Sequence, residues 1–398
     1  MIFILKILQI VTFFIFLYFK IGLLNYFIII FFKKEFIMMN LYDINLQNYN
    51  AEEYAKICNE IVNNVSWQLN NVIFEKLPKE KNREIYAQLC QNAVTKSGSA
   101  LKYVNFENLP LENNREIYKN LCKEAIKTYC YALHHIELEN LPIENNREIY
   151  FKLCKEAIDN YGEAFDFVKF ENLPLENNRE IYAKLCKQAV DKSPENIKKI
   201  KFKNLPVEYN RQIYLELVKN VIAEKGYALA FVNFKYLPIE IARQTYAKLC
   251  MSAINNNDYN LKYVKFENLP IENNREIYLE LCKSAINENH HTFKWVNFEN
   301  LPKENNKEIY AKLCLDAVAK NGYAFKYVNF ENLPEENNKE IYTQLCKYAL
   351  IENQIMQLFI NSQNLPESIQ ELNNSKGSIR KAILNYLPTT SNNQGLSM

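Results

Sequence analysis

Glycine, histidine and tryptophan are scarce in this chain, with 7, 4 and 2 copies among 398 residues, and neither sign of charge predominates, 48 Lys and Arg standing against 46 Asp and Glu. Each shortage excludes something. So little glycine rules out a collagen-like repeat, and no P-loop, dinucleotide fingerprint or catalytic-triad pattern is present. Ten cysteines in so long a chain are too sparse for a disulfide scaffold, and no C-x-x-C pair starts a zinc site. Near-neutral charge withholds the broad basic field that phosphate backbones require, so nucleic-acid binding is not expected. A hydrophobic content of 48% excludes a wholly disordered chain.

What is present is a ladder. Prolines fall at 78, 110, 142, 174, 206, 238, 270, 302, 334 and 366, every interval being 32 residues, with only Pro194 and Pro388 off the series. From each proline the chain reads Pro-x-Glu-Asn-Asn-Arg-Glu-Ile-Tyr-x-x-Leu-Cys-x-x-Ala-Ile, then a variable patch, then Ala-Leu-x-Tyr-Val-x-Phe-Glu-Asn-Leu. Nine tandem repeats fill 78–365. A degenerate copy, with Tyr54, Cys58, Val72 and Phe74 in register, is expected to cap them over 38–77, and 366–398 reads as a C-terminal cap with a flexible tail. Residues 1–37 form an apolar segment broken by Lys20 and closed by Lys33 and Lys34. That segment reads either as a membrane anchor with its lysines on the cytoplasmic side or as a mis-assigned start, with translation beginning at Met38 or Met39. A secretory signal fits worse, because no small-residue cleavage site follows.

The first half of each repeat predicts a helix. Ile117, Tyr118, Leu121, Cys122, Ala125 and Ile126 recur on one stripe at 3.6-residue spacing. Asn113 and Glu116 have the spacing of a capping box, and Gly98, Gly162, Gly226 and Gly322 sit where a left-handed residue would end the helix. The second half is ambiguous. Gly-Tyr-Ala-Phe-Lys-Tyr-Val at 322–328 suits a short packed helix. His135 to Glu139 and Lys199 to Lys203 alternate like strands, and Leu101, Val104 and Phe106 match leucine-rich-repeat spacing.

Ala317 to Val328, with Glu331-Asn332-Leu333 and Asn338-Lys339-Glu340-Ile341, resembles the bacterial tandem repeats of domain of unknown function 4116, whose units are about seven residues shorter. The similarity runs from about Leu46 to Leu365. It implies paired short helices and supplies no catalytic residues. The expected fold is therefore an all-α, αα-repeat solenoid of about ten 32-residue units, curved and on the order of 100 Å long, with an α/β leucine-rich-repeat-like horseshoe as the alternative.

Candidate chemistry reduces to binding. Cys58, Cys90, Cys122, Cys154, Cys186, Cys250, Cys282, Cys314 and Cys346 share one helix position that Val218 fills in the remaining repeat, which marks a small apolar core site rather than a metal or redox centre. So many unpaired thiols suit a cytoplasmic or other reducing compartment. His134-His135 and His290-His291 are adjacent pairs, unable to face one metal from a helix, and read as solvent-facing. The recurring Glu and Arg read as capping and inter-repeat ion pairs, and the Tyr ladder as core needing Asn or Glu partners for its hydroxyls. The aromatic row Tyr103, Phe167, Phe231, Tyr263, Trp295 and Tyr327 is a candidate partner-binding surface if it faces outward. A lysine cluster, Lys192, Lys198, Lys199, Lys201 and Lys203, could take an acidic partner or a lipid head group. The expected function is a non-enzymatic scaffold, monomeric and without cofactors, presenting an extended surface to a protein partner. A membrane-tethered scaffold and an RNA-binding repeat protein are the alternatives.

Overall fold

A computed structural model describes residue 41 and residues 49–376 and 378–386. Its α-helices are α1 (Ala51–Asn64), α2 (Asn82–Lys96), α3 (Asn114–Thr128), α4 (Asn146–Asn160), α5 (Asn178–Lys192), α6 (Asn210–Glu224), α7 (Ala242–Asn256), α8 (Asn274–Glu288), α9 (Asn306–Lys320), α10 (Asn338–Glu352), α11 (Glu367–Lys376) and α12 (Ile379–Asn385). Among the described residues there is no strand, so the leucine-rich-repeat alternative is corrected and the chain is an all-α tandem-repeat solenoid. It divides into two compact units, residues 1–192 and 193–398. In the first, α1 to α5 pack in sequence order; in the second, α6 to α10 do the same, with α11 and α12 following. The apolar segment 1–37 lies outside the described residues. Among those described, no helix is long and apolar enough to cross a membrane.

The second half of each repeat is helical but not α-helical. After α3, the chain makes a six-residue 3₁₀-helix (Cys130–His135), then two extended residues, then a three-residue 3₁₀ turn (Leu138–Asn140). Ile136 and Glu137 hold φ −75°, ψ 124° and φ −102°, ψ 121°, which is strand-like backbone without a strand partner. That is why the sequence alternates there, and why a β-branched Ile or Val suits the first of the two positions. The 3₁₀-helix packs against the α-helix on either side of it. Gly98–Tyr103, for example, contacts both α2 and α3.

The α-helical stripe forms the core. Tyr118, Leu121, Cys122, Ala125 and Ile126 are all buried in α3, and the matching residues are buried in α2 and α4. The 3₁₀-helix adds its third and fourth residues, such as Ala132 and Leu133. At the C-terminal end of the second unit, Ile369 and Ile383 are buried, and α12 packs on α10.

Three local expectations are corrected. The Asn113 side chain makes no capping bond; the reciprocal box forms in α1, between Asn50 and Glu53. The helices end on an extended residue, Tyr129 donating its N–H to the Ala125 carbonyl, and Asn305 is the one non-glycine residue at positive φ among those described. The glycine that follows is needed for space. A Cβ on Gly98 would lie 2.2 Å from the Ala125 carbonyl oxygen of the next repeat, and one on Gly226 would lie 2.6 Å from that of Ala253.

Two polar devices tie each repeat together. The Tyr hydroxyls accept backbone N–H groups from the extended link 19 residues on: Asn105 to Tyr86 at 3.0 Å, Lys169 to Tyr150 at 2.9 Å, Lys265 to Tyr246 at 3.0 Å and Asn329 to Tyr310 at 3.0 Å. The partner is thus main chain, not the Asn or Glu side chain expected. The link has no ladder to bond with, so the tyrosine satisfies a donor that burial would otherwise strand. The repeated Arg reaches into the next repeat instead of forming ion pairs. Arg243 donates to the Glu267 and Leu269 carbonyls at 2.7 and 2.6 Å while its guanidinium lies 5.7 Å from the centre of the Phe234 ring. Lys307 and Lys339 stand where the other repeats have Arg, and Lys307 pairs with Glu335 at 2.6 Å.

Candidate functional site

A 3₁₀-helix has three residues per turn, so positions three apart lie in one file. In the six-residue helices the third and fourth residues are buried, the second and fifth form one mostly exposed file, and the sixth, in the file of the third, lies half-buried at the margin of that outer face. The aromatic row occupies the sixth position, and all six of its members are half-buried, between the exposed face and the buried row expected for the two folds.

In the first compact unit, Tyr103 carries the Lys102 ammonium 4.6 Å from its ring centre. Phe167 packs 4.7 Å from Tyr131 and 6.1 Å from His134. The acids Glu163 and Asp166 share this face with Lys102, which leaves its charge mixed.

In the second unit the row is continuous from Phe231 to Tyr327, and a lysine lies over every ring. Lys198 is 5.5 Å from the Phe231 ring centre, Lys262 is 4.7 Å from Tyr263 and 5.6 Å from Trp295, Lys294 is 4.2 Å from Trp295, and Lys326 is 4.8 Å from Tyr327. Beside them stand Tyr227, Tyr259 and Tyr323, at the second position, exposed by 41%, 37% and 39%. Tyr259 packs edge-on to Trp295 at 5.2 Å. The predicted lysines join the same face in part. Lys198 and Lys199 close the 3₁₀-helix Pro194–Lys199, Lys201 is in the extended link and Lys203 in the turn Phe202–Asn204. The tyrosines at the second position and the ring-capping lysines were missed in the sequence. Their signal is a period of three within six residues, as in Tyr259 and Lys262 or Tyr323 and Lys326.

A second exposed row also escaped notice. The residue after six of the ten ladder prolines is aliphatic, and Leu111, Ile143, Leu175, Val207, Ile239 and Ile271 are each about two-thirds exposed, beside exposed glutamates such as Glu112 and Glu240. Elsewhere in the second unit, an open depression of about 670 Å³ between α8 and α9 is lined by both signs of charge, including Glu280, Lys283, Asp316 and Lys320.

The remaining candidates are the cysteines and the histidine pairs. All ten cysteines are free, and the nine of the helix row are buried, with burial pushing the Cys58 thiol up to about 11 and Cys90 up to about 12. The histidine pairs are only partly solvent-facing. His290 is half-buried, its Nε2 lacks a hydrogen-bond partner, and burial lowers its pKa. Among the described residues, no group of three or more His, Cys, Asp or Glu could hold a metal ion.

No known protein family matches the chain, so the resemblance to domain of unknown function 4116 is not confirmed. No curated protein matches it either. Among solved structures, it is similar to a circular tandem repeat protein with novel repeat topology and enhanced subunit contact surfaces, with 13% identity over 89% of this chain and 76% of that one. The TM-score of 0.15 is too low to carry an argument about this protein.

Proposed function

We propose that the protein is a non-enzymatic repeat scaffold that presents the outer face of its 3₁₀-helices to a protein partner. One observation supports this reading: Tyr227, Tyr259 and Tyr323 recur as exposed aromatics beside a half-buried aromatic row, outside the buried residues of the repeat's core. Tyrosines supply large, rigid, amphipathic contact area at low entropic cost, and aromatic side chains are enriched where proteins meet. Affinity would be distributed over several repeats, as repeat scaffolds allow. The free thiols favour a reducing compartment.

The test is a triple variant, Tyr227→Ala, Tyr259→Ala and Tyr323→Ala, used beside the wild-type chain to capture partners from the source cell. Loss of a partner that wild type retains, with the helical circular-dichroism spectrum unchanged, supports the reading; identical capture refutes it. Membrane tethering of the same scaffold is favoured by the apolar 1–37, and fractionation together with mapping of the N-terminal residue tests it.

A further inference from the structure

The lysines of the second unit are placed in a way that a solvated charged surface does not require. Lys198, Lys262, Lys294 and Lys326 are all exposed, yet each ammonium lies over an aromatic ring of the row instead of extending into water. A ring face attracts a cation through its quadrupole, and holding the long side chain there reduces the rotamer freedom lost when a ligand arrives. Lys265 adds a further exposed ammonium in the extended link between 3₁₀ elements. Acidic residues at the second, fifth and sixth positions of these helices are confined to Glu195; Asp258 is half-buried at the first position of its helix, and the exposed Glu267, Glu299 and Glu331 stand in the three-residue turns beyond the link.

We propose that this face binds an extended acidic peptide segment, the ammonium groups pairing with its carboxylates and the hydroxyls of Tyr227, Tyr259 and Tyr323 donating to them. The proposal rests on the scaffold reading above and specifies the chemistry of its partner. It is argued from charge complementarity: the groups turned outward are donors, repeated at the interval of the repeat, so an acceptor-rich chain can meet several in succession. Single-stranded nucleic acid is the rival polyanion. It binds such surfaces by stacking bases on open ring faces. In the row itself the ring faces are occupied, Trp295 by two lysines, so the ammonium and not the ring is the group offered there, while Tyr227, Tyr259 and Tyr323 keep exposed rings and make the oligouridine the competitor to be measured.

The test uses the full chain and two fluorescent probes, a 20-residue peptide rich in Glu and a 20-nucleotide oligouridine, with anisotropy read at low and physiological salt. The expected result is that the peptide binds more tightly than the oligouridine and that added salt weakens it. Lys262→Glu, Lys294→Glu and Lys326→Glu together should weaken the peptide by about tenfold or more. The same charge change placed elsewhere in the unit, as Lys283→Glu, Lys303→Glu and Lys312→Glu, should leave binding within about threefold, the residue of long-range screening. Equal loss in both triple variants, tighter binding of the oligouridine, or no binding of the peptide overturns the proposal. The scaffold reading stands or falls separately, on whether the tyrosine variant loses its partner.

Discussion

Removing one oxygen atom tests whether the tyrosine-to-link bond holds the repeat together. Tyr246 is 1% exposed, its hydroxyl accepts the Lys265 N–H at 3.0 Å, and its ring meets Phe234 edge-on at 6.0 Å. Tyr246→Phe keeps the ring contacts and deletes the hydroxyl, which besides accepting the Lys265 N–H also meets the Cys250 and Asn268 side chains. The Lys265 amide, part-buried although its side chain is exposed, then has no partner in an extended link that pairs with no strand, and an unpaired donor that water does not reach costs about 1–3 kcal/mol. Because repeat arrays can unfold in parts, the local readout matters more than a global midpoint. Hydrogen exchange at Lys265 should accelerate about 5- to 160-fold, which is that cost expressed as an opening equilibrium. Tyr227→Phe, which removes an exposed hydroxyl, serves as the control and should change stability by less than about 0.5 kcal/mol. Unchanged protection at Lys265 in Tyr246→Phe would refute the reasoning, because it would mean that the hydroxyl is dispensable for fixing the link.

Gly98→Ala should destabilise by about 2 kcal/mol or more, measured by denaturant titration, since the new methyl meets the Ala125 carbonyl and main chain cannot rotate away. Arg147→Lys should cost about 1–2 kcal/mol in the same assay. A lysine cannot reproduce the fork by which one Arg147 nitrogen reaches the carbonyls of both Glu171 and Leu173. Stability should also fall at alkaline pH. Burial raises the Cys90 thiol from its ordinary 9.0 to about 12, so the unfolded chain loses its proton first; this contribution is intact below pH 9 and is lost as pH rises from 9 to about 12. Thermal melts from pH 8 to 11 should show a progressive fall whose part between pH 9 and 10 is absent from a variant with valine at the nine row cysteines; above pH 10 the buried tyrosines, whose hydroxyls burial also raises from their ordinary 10.0, add a fall that both chains share. A pH-independent melting temperature in wild type would contradict it.

Much of this protein was already legible as a one-dimensional pattern. The 32-residue proline interval fixed the number and register of the repeats, because a period survives any ambiguity about what each segment folds into. The apolar stripe of Tyr118, Leu121, Cys122, Ala125 and Ile126 located the core helix, and Val218 in the cysteine position showed that the site wants bulk of modest size and no reactivity. The binding face was legible only in part. The row from Tyr103 to Tyr327 stands out by recurrence, whereas the exposed tyrosines of the adjoining file do not, because Ser99, Glu163, Glu195 and His291 fill that position in other repeats.

Other features were decided only by tertiary structure. Strand-like alternation around Ile136 and Glu137 comes from two extended residues whose N–H is satisfied by a tyrosine 19 positions earlier, and no local window contains that partner. A glycine that reads as a helix terminator is instead required by the backbone of the following repeat, and an arginine that reads as half of an ion pair bonds to carbonyls in the next turn of the array. The sequence determined periodicity and burial, which are properties of spacing. Three-dimensional packing determined which donor meets which acceptor, because those bonds join segments that are distant along the chain and adjacent only after the repeats have stacked.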